Sequence, residues 1–266
     1  MTNELIFLKL GGSLITDKNK PYTPRLDKLA ELAREIKTVL DATPNLLLLL
    51  GHGSGSFGHI AATKHGTRDG AQTAEQWRGF AEVRFQAAEL NRHVMKALID
   101  AGAPAIPFPP SSSMVSNNRR VTHHNALAIR KALAAQMTPV VYGDVIFDET
   151  LGGTVLSTEE IFAFLAEHFA PTRILLAGIE AGVWEDFPAR KNFVKQIQLS
   201  GAEKTRAKIS GSVSADVTGG MKAKVEETLA LIQKNKGLTA QIFSAEESGF
   251  LTRALKGENV GTLLSG

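Results

Sequence analysis

The chemistry legible in this chain lies in three glycine-rich turns and three lysines near them. Gly51-His52-Gly53-Ser54-Gly55-Ser56-Phe57-Gly58-His59 follows the leucine run Leu46–Leu50. A glycine turn leaving a buried strand presents backbone N–H groups with no Cβ in the way, which makes a nest for phosphate oxygens. His59 ends the loop with a group able to donate to, or carry charge against, an oxyanion. The segment Gly53–Gly58 also fits G-x-G-x-x-G, a dinucleotide fingerprint. That fingerprint wants an acidic residue about 20 positions on, at the end of a second strand, and Glu75 opens a helical pattern instead.

The first turn, Gly11-Gly12-Ser13, leaves the apolar stretch Leu5–Leu10, inside which sits Lys9. A strand end can deliver that lysine to an anion, or simply let it snorkel to the surface. Lys18 stands in the polar turn Asp17–Pro21, where a solvated surface role is the plain reading. The third turn is Asp216-Val217-Thr218-Gly219-Gly220-Met221-Lys222-Ala223-Lys224. Two glycines opening a helix, with a lysine one turn in, combine N–H groups, dipole and point charge into an anion site. Lys222 and Lys224 compete for that place, because at 100° per residue only one can face the phosphates.

These residues need elements to hold them. Leu5–Leu10, Leu46–Leu50, Ala103–Phe108, Val140–Val145, Arg173–Ala177 (ending in Gly178), Gln241–Ser244 and Gly261–Leu264 read as strands. Apolar residues at Leu26, Leu29, Ala33, Ile36 and Leu40 predict a helix over Pro24–Leu40. A long helix is predicted from Thr73 to Ala101. Its stripe begins with Trp77, Phe80 and Val83, a candidate pocket wall, and continues through Leu90, Val94 and Leu98 as core. The stretches Pro107–Ser113 and Asn117–Arg120 read as loop, and a hairpin is expected around Glu149–Gly153. Ser157 or Thr158 suits a helix N-cap, and Glu159 and Glu160 favour the first turn. Strand, glycine turn, helix, strand, glycine turn is the plan of a parallel α/β sheet, whose ligands sit at the carboxyl ends of strands.

Composition bounds the rest. The chain has 266 residues, 43% hydrophobic and 21% charged, ordinary values for a soluble globular protein. A net charge of +3 with no long basic run gives no reason to expect nucleic acid. No apolar run approaches the ~20 residues of a membrane span, and the N-terminus does not read as a signal peptide. The sequence has no cysteine, which excludes disulfides and thiolate metal sites and fits a cytoplasmic protein. His123-His124 do not suggest a metal, since adjacent histidines point apart.

Lys9-Leu-Gly-Gly-Ser13, Gly51–His59, Tyr142-Gly143-Asp144, Ser157-Thr158-Glu159-Glu160 and Asp216–Lys224 resemble, in order and spacing, the amino acid kinase superfamily. Within it, the Lys18 turn and Ser56-Phe57-Gly58-His59 resemble the isopentenyl phosphate kinases. The resemblance covers nearly the whole chain. It implies one three-layer αβα domain over residues 1–266, with acceptor binding in about 1–170 and nucleotide binding in about 171–266. It also implies a homodimer and, as cofactors, ATP with Mg²⁺ carried by the nucleotide. Carried over by position, Lys9 and Lys224 grip the ATP phosphates and Lys18 stabilises the transferred phosphoryl. Gly11, Gly12, Ser13, Gly55, Gly178 and Gly220 line the nucleotide. Ser54, Gly55, His59, Gly143 and Thr158 hold the acceptor phosphate, Phe80 and Val83 its tail, and Glu159 and Asp144 support. Glu159 stands where the superfamily usually has aspartate, and Ile179-Glu180-Ala181-Gly182 replaces its usual Asp-Val-Asp-Gly.

Electrostatics fits a phosphate acceptor. An acceptor that is already anionic repels ATP, and two unit charges ~4 Å apart cost several kcal/mol in a partly dry site. A donor such as His59 answers that need, whereas a carboxylate kinase would leave it unexplained. The expected reaction is phosphorylation of isopentenyl phosphate to isopentenyl diphosphate. A fosfomycin-type phosphonate kinase shares the histidine logic. A nucleotide-binding storage or sensor protein on the same fold would not need Lys18.

Overall fold

The computed structural model describes residues 3–201 and 220–266. The first two glycine turns leave a pair of strands, β1 (Glu4–Leu10) and β2 (Leu46–His52). Between them come a single turn of helix, α1 (Gly12–Ile15), and α2 (Leu26–Ala42). Pro24 lies ahead of α2, bridged to Thr16, rather than in the helix's first turn. After β2 come α3 (Gly55–His65), a 3₁₀ turn at Thr67–Asp69, and α4 (Ala74–Asp100). Thr73 caps α4 through a capping box with Gln76, satisfying the first N–H groups reciprocally.

The chain continues through β3 (Ala105–Pro107), α5 (Pro110–Ser113), β4 (Met114–Asn117), β5 (Arg120–His124), α6 (Ala126–Ala134) and β6 (Thr138–Tyr142). The residues read as loop, Pro107–Ser113 and Asn117–Arg120, therefore hold a helical turn and the turn of the β4–β5 hairpin. Val140–Val145 is not one strand. β6 ends at Tyr142, and after Gly143 the chain enters β7 (Asp144–Asp148) in a different sheet. β7 forms the expected hairpin with β8 (Gly152–Leu156), which leads to α7 (Thr158–Phe169). Then follow β9 (Arg173–Gly178), a small hairpin of β10 (Val183–Trp184) and β11 (Phe193–Val194), and β12 (Gln196–Gln198). After the undescribed residues come α8 (Gly220–Lys234), β13 (Thr239–Ser244), α9 (Phe250–Leu255) and β14 (Thr262–Ser265).

Among the described residues the main sheet runs β12-β14-β13-β9-β1-β2-β6-β3, parallel throughout except for β13 against β14. Its central strands are buried on both faces, which is why they read as unbroken apolar runs. Ile6 and Leu8 turn to a core shared with α2, α4 and α9, while Phe7 between them joins a core with α6, α7 and α8. Helices therefore cover both faces, giving a three-layer αβα sandwich. The β5-β4-β7-β8 sheet packs against α4 over a third, smaller core containing Phe80, Val83 and Val145. No helix among the described residues is long and apolar enough to cross a membrane.

Candidate active site

β1 and β2 are adjacent and parallel, with Lys9 opposite Gly51 and Leu10 opposite His52. Their two glycine turns therefore leave the sheet together and touch backbone to backbone. A Cβ on Gly12 would lie 2.5 Å from the Gly55 nitrogen. Gly55 itself has φ +49°, the left-handed region that favours glycine, and a side chain there would run into Thr16. Thr16 pins the two turns: its hydroxyl donates to the Gly12 carbonyl at 2.7 Å and accepts from the Ser56 N–H at 3.0 Å. Neighbouring strand ends close the ring. Gly11 N–H donates to the Ala177 carbonyl at 2.8 Å, and Gly143 N–H to the His52 carbonyl at 3.1 Å.

These strand ends floor a cavity of about 860 Å³. Lys9, Lys18 and Lys224 line it, as do His59, Ser54, Gly143 and Thr158. So do Gly11, Gly12, Ser13, Gly55, Gly178 and Gly220. Tertiary folding thus brings residues from positions 9 to 224 around one space. Of the third glycine turn, Asp216-Val217-Thr218-Gly219 lies outside the described residues, and Gly220 opens α8.

The lysines are not equivalent. Lys9 forms an ion pair with Glu159 from the first turn of α7, both side chains being largely buried. Burial pushes the Glu159 carboxyl up, but the ammonium groups of Lys9 and Lys224 outweigh it and hold it below its usual range. Glutamate in this place therefore pairs with Lys9 and also feels the charge of Lys224. Lys224 lines the cavity, whereas Lys222 points to the exposed side of α8, 4.0 Å from Glu226. Lys18 reaches the cavity rim from an exposed turn. Half-buried His59 faces the cavity from α3.

Three expectations change on inspection of the geometry. Thr158 is buried and its hydroxyl donates to the His52 carbonyl at 2.6 Å, so its only hydroxyl proton is spent on β2. It can offer an anion its backbone N–H, since Ser157 and not Thr158 is the N-cap, in a capping box with Glu160. Asp144 does not line the cavity. It turns instead to the Ser111 hydroxyl at 2.8 Å and Arg84 at 3.6 Å, and burial pushes its carboxyl up to about 6. Phe80 lies behind the wall, edge-on to Trp77 and tilted against Phe147 beneath Gly153, and only Val83 of that stripe reaches the cavity. Apolar residues that do line the cavity include Ile60 and Ala62, which flank His59 on α3, with Val83 and Val155.

Several residues escaped sequence reasoning. His52 is fully buried, stacked on Tyr142 with ring centroids 5.1 Å apart, and contacts the Gly53 carbonyl and Asn91 through its two nitrogens. Desolvation lowers its pKa to about 4, with a contribution from Lys9, so it enters neutral. Glu227 lines the cavity three residues beyond Lys224, a helical spacing that could have revealed it. Desolvation and the nearby carboxylates of Glu159 and Glu160 push it up to about 7. Arg68 also lines the cavity, from a 3₁₀ turn that leaves no periodic signature.

Residues 4–244 match the model of the amino acid kinase family. The chain belongs to that family. This amino acid kinase is similar to the isopentenyl phosphate kinase of Methanothermobacter thermautotrophicus, 34% identical over 98% of this chain and 99% of the relative. The isopentenyl phosphate kinase of Methanocaldococcus jannaschii is also 34% identical, over 97% of each chain. A solved isopentenyl phosphate kinase structure superposes with a TM-score of 0.82 at 30% identity, covering 98% of this chain and all of that one. Membership of a kinase family implies ATP as a substrate.

Proposed function

We propose that this amino acid kinase transfers the γ-phosphoryl group of ATP to isopentenyl phosphate, giving isopentenyl diphosphate and ADP. The observation that carries the reading is His59: it faces the lysine-lined cavity from α3, and the apolar Ile60, Ala62, Val83 and Val155 line the same cavity. A phosphate head and a short hydrocarbon tail need those two kinds of surface in one space. The relatives named isopentenyl phosphate kinase support the same substrate.

The chemistry follows from positioning and charge, since phosphoryl transfer asks little covalent help of a protein. A phosphate oxygen of the acceptor attacks the γ-phosphorus, and the bond to the β,γ-bridging oxygen breaks, leaving ADP. Lys9, fixed by Glu159, and Lys224 hold the ATP phosphates, with N–H groups of the Gly11–Ser13 and Gly53–Gly55 turns. Lys18 stabilises charge on the group in transfer, and His59 donates to the acceptor phosphate, with Ser54, Gly143 and the Thr158 N–H around it. Among the described residues no group of three or more His, Asp or Glu could hold a metal, and the Glu159 carboxylate is taken by Lys9. Mg²⁺, carried by the nucleotide, would neutralise charge on its phosphates.

Within one domain, residues up to about 170 serve the acceptor and those from about 171 the nucleotide, with Lys9 and the first two glycine turns reaching across to the ATP phosphates. The working form is a cytoplasmic homodimer. The test is an ADP-release assay of the protein with MgATP against isopentenyl phosphate, small phosphonates, glutamate and acetylglutamate. Turnover of isopentenyl phosphate in preference to the others is expected. Turnover of a carboxylate, or of none of these, would refute the reading.

A further inference from the structure

The charge arrangement at the acceptor side of the cavity includes one cation that the reaction as described does not use. Arg68 belongs to the 3₁₀ turn at Thr67–Asp69, two residues past the end of α3, the helix that carries His59. Its backbone is anchored to β8, the Thr154 hydroxyl donating to the Arg68 carbonyl at 2.8 Å. Its side chain lines the cavity and is 39% exposed.

Among the described residues one carboxylate lies within ion-pair distance of its guanidinium, Glu160 at 3.8 Å, too far for a hydrogen bond, and the arginine's charge also acts on Glu227 of α8. Glu160 is already engaged on both oxygens. Oε1 accepts from Arg119 at 2.5 Å, and Oε2 accepts from the Ser157 N–H at 2.7 Å. Arg119 is set in place independently, since its own N–H, with that of Asn118, donates to the Asp148 carboxylate. Arg68 is thus the second-served of two arginines at one carboxylate, with its fork of donors beside a cavity built for anions.

We propose that Arg68 is a further acceptor-binding residue, its guanidinium contacting the phosphate of isopentenyl phosphate and the diphosphate it becomes. The proposal rests on the acceptor assignment above and deepens it. Arg68 is on the acceptor side because it follows α3 directly and its carbonyl is tied to Thr154 of β8, next to the cavity-lining Val155. A planar guanidinium matches two phosphate oxygens at once, and a phosphate dianion outcompetes a shared monoanion that offers no hydrogen bond. Arg119 holds Glu160 back, which leaves Arg68 turned to the cavity.

Steady-state kinetics tests this. Arg68→Ala should raise KM for isopentenyl phosphate about 10- to 100-fold, the loss expected for hydrogen bonds to a charged group, with KM for ATP within about twofold. Arg68→Lys should recover part of the loss. Glu160→Gln keeps the capping box while loosening the rival ion pair. It should lower KM for the acceptor in the wild-type background and have a smaller effect alongside Arg68→Ala, a coupling that a purely structural arginine would not produce. Equal acceptor KM in Arg68→Ala and wild type overturns the role. So does a parallel rise in both KM values with a lowered melting temperature. Were Arg68→Ala not to fold, an unchanged acceptor KM in Arg68→Lys would overturn it equally. A wild type idle with isopentenyl phosphate counts against the acceptor assignment instead, so the two failures are distinguishable.

Discussion

Substituting Gly12 with alanine puts the contact between the two glycine turns to a direct test. The added Cβ would lie 2.5 Å from the Gly55 nitrogen and 2.6 Å from its Cα, against 3.4–4 Å for ordinary contact. Both opposing atoms are backbone, so no side chain can swing aside, and one turn must retreat by roughly 1 Å from the other. Alanine is otherwise a better helix residue than glycine, so loss of stability would come from the clash and not from α1. Overpacking of this kind costs about 1–3 kcal/mol, which in a domain of this size lowers Tm by roughly 2–12 °C. The larger effect falls on catalysis. The turns hold the two substrates' phosphates in register, and a 1 Å misplacement can cost about 100-fold in rate. The Thr16 bridge, spanning Gly12 and Ser56, would be pulled apart at the same time. Kinetics by ADP release, with differential scanning fluorimetry on the same samples, reads both quantities. Gly178→Ala is the control for stability alone, because its nearest atom would be the Phe243 carbonyl oxygen at 4.0 Å and its backbone needs no positive φ. A Gly12→Ala enzyme with wild-type kcat would show that the turns do not set the reacting geometry.

Three further outcomes follow. Lys224→Ala should raise KM for ATP and lower kcat, whereas Lys222→Ala should be nearly silent because its side chain lies on the exposed face of α8; the reverse pattern would contradict the observed helix register. Phe80→Ala should cost about 3–5 kcal/mol of stability as a core truncation, while Val83→Ala should enlarge the acceptor space and admit longer prenyl phosphates, both read by denaturation and substrate-length profiles. His52 should make stability depend on acid. Its folded pKa of about 4 lies below the ordinary 6.5, so the unfolded chain binds the extra proton first. The contribution is full above pH 6.5 and fades as pH falls toward 4, worth about 3 kcal/mol at most. His52→Gln should flatten that part of the Tm–pH curve, and an unchanged slope would remove His52 as its cause.

Much of the fold could be read along the chain because central strands in such a sheet are buried on both faces. Unbroken apolar runs at Leu5–Leu10 and Leu46–Leu50, and the period of α2 and α4, follow from that burial alone. Glycines were legible for the same local reason: a turn that must approach another backbone tolerates no side chain. The family pattern made Lys9, Lys18, His59 and Lys224 visible as candidates, though nothing in one dimension places positions 9 and 224 in one cavity.

What only the tertiary structure decided is direction. Gly143 reads as the middle of a strand, yet the chain changes sheets there, and that change carries Asp144 away from the cavity toward Arg84 and Ser111. Phe80 and Val83 share one helical stripe, but Gly153 on β8 offers Phe80 a bed that keeps it behind the wall. Arg68 and Glu227 come from a 3₁₀ turn and from the helix after the third glycine turn, and meet the site only because α3 and α8 flank it. Spacing in sequence reports the period of an element and hence which residues share a face. Which face meets the ligand depends on contacts between elements far apart in the chain, and those exist only once the sheet has assembled.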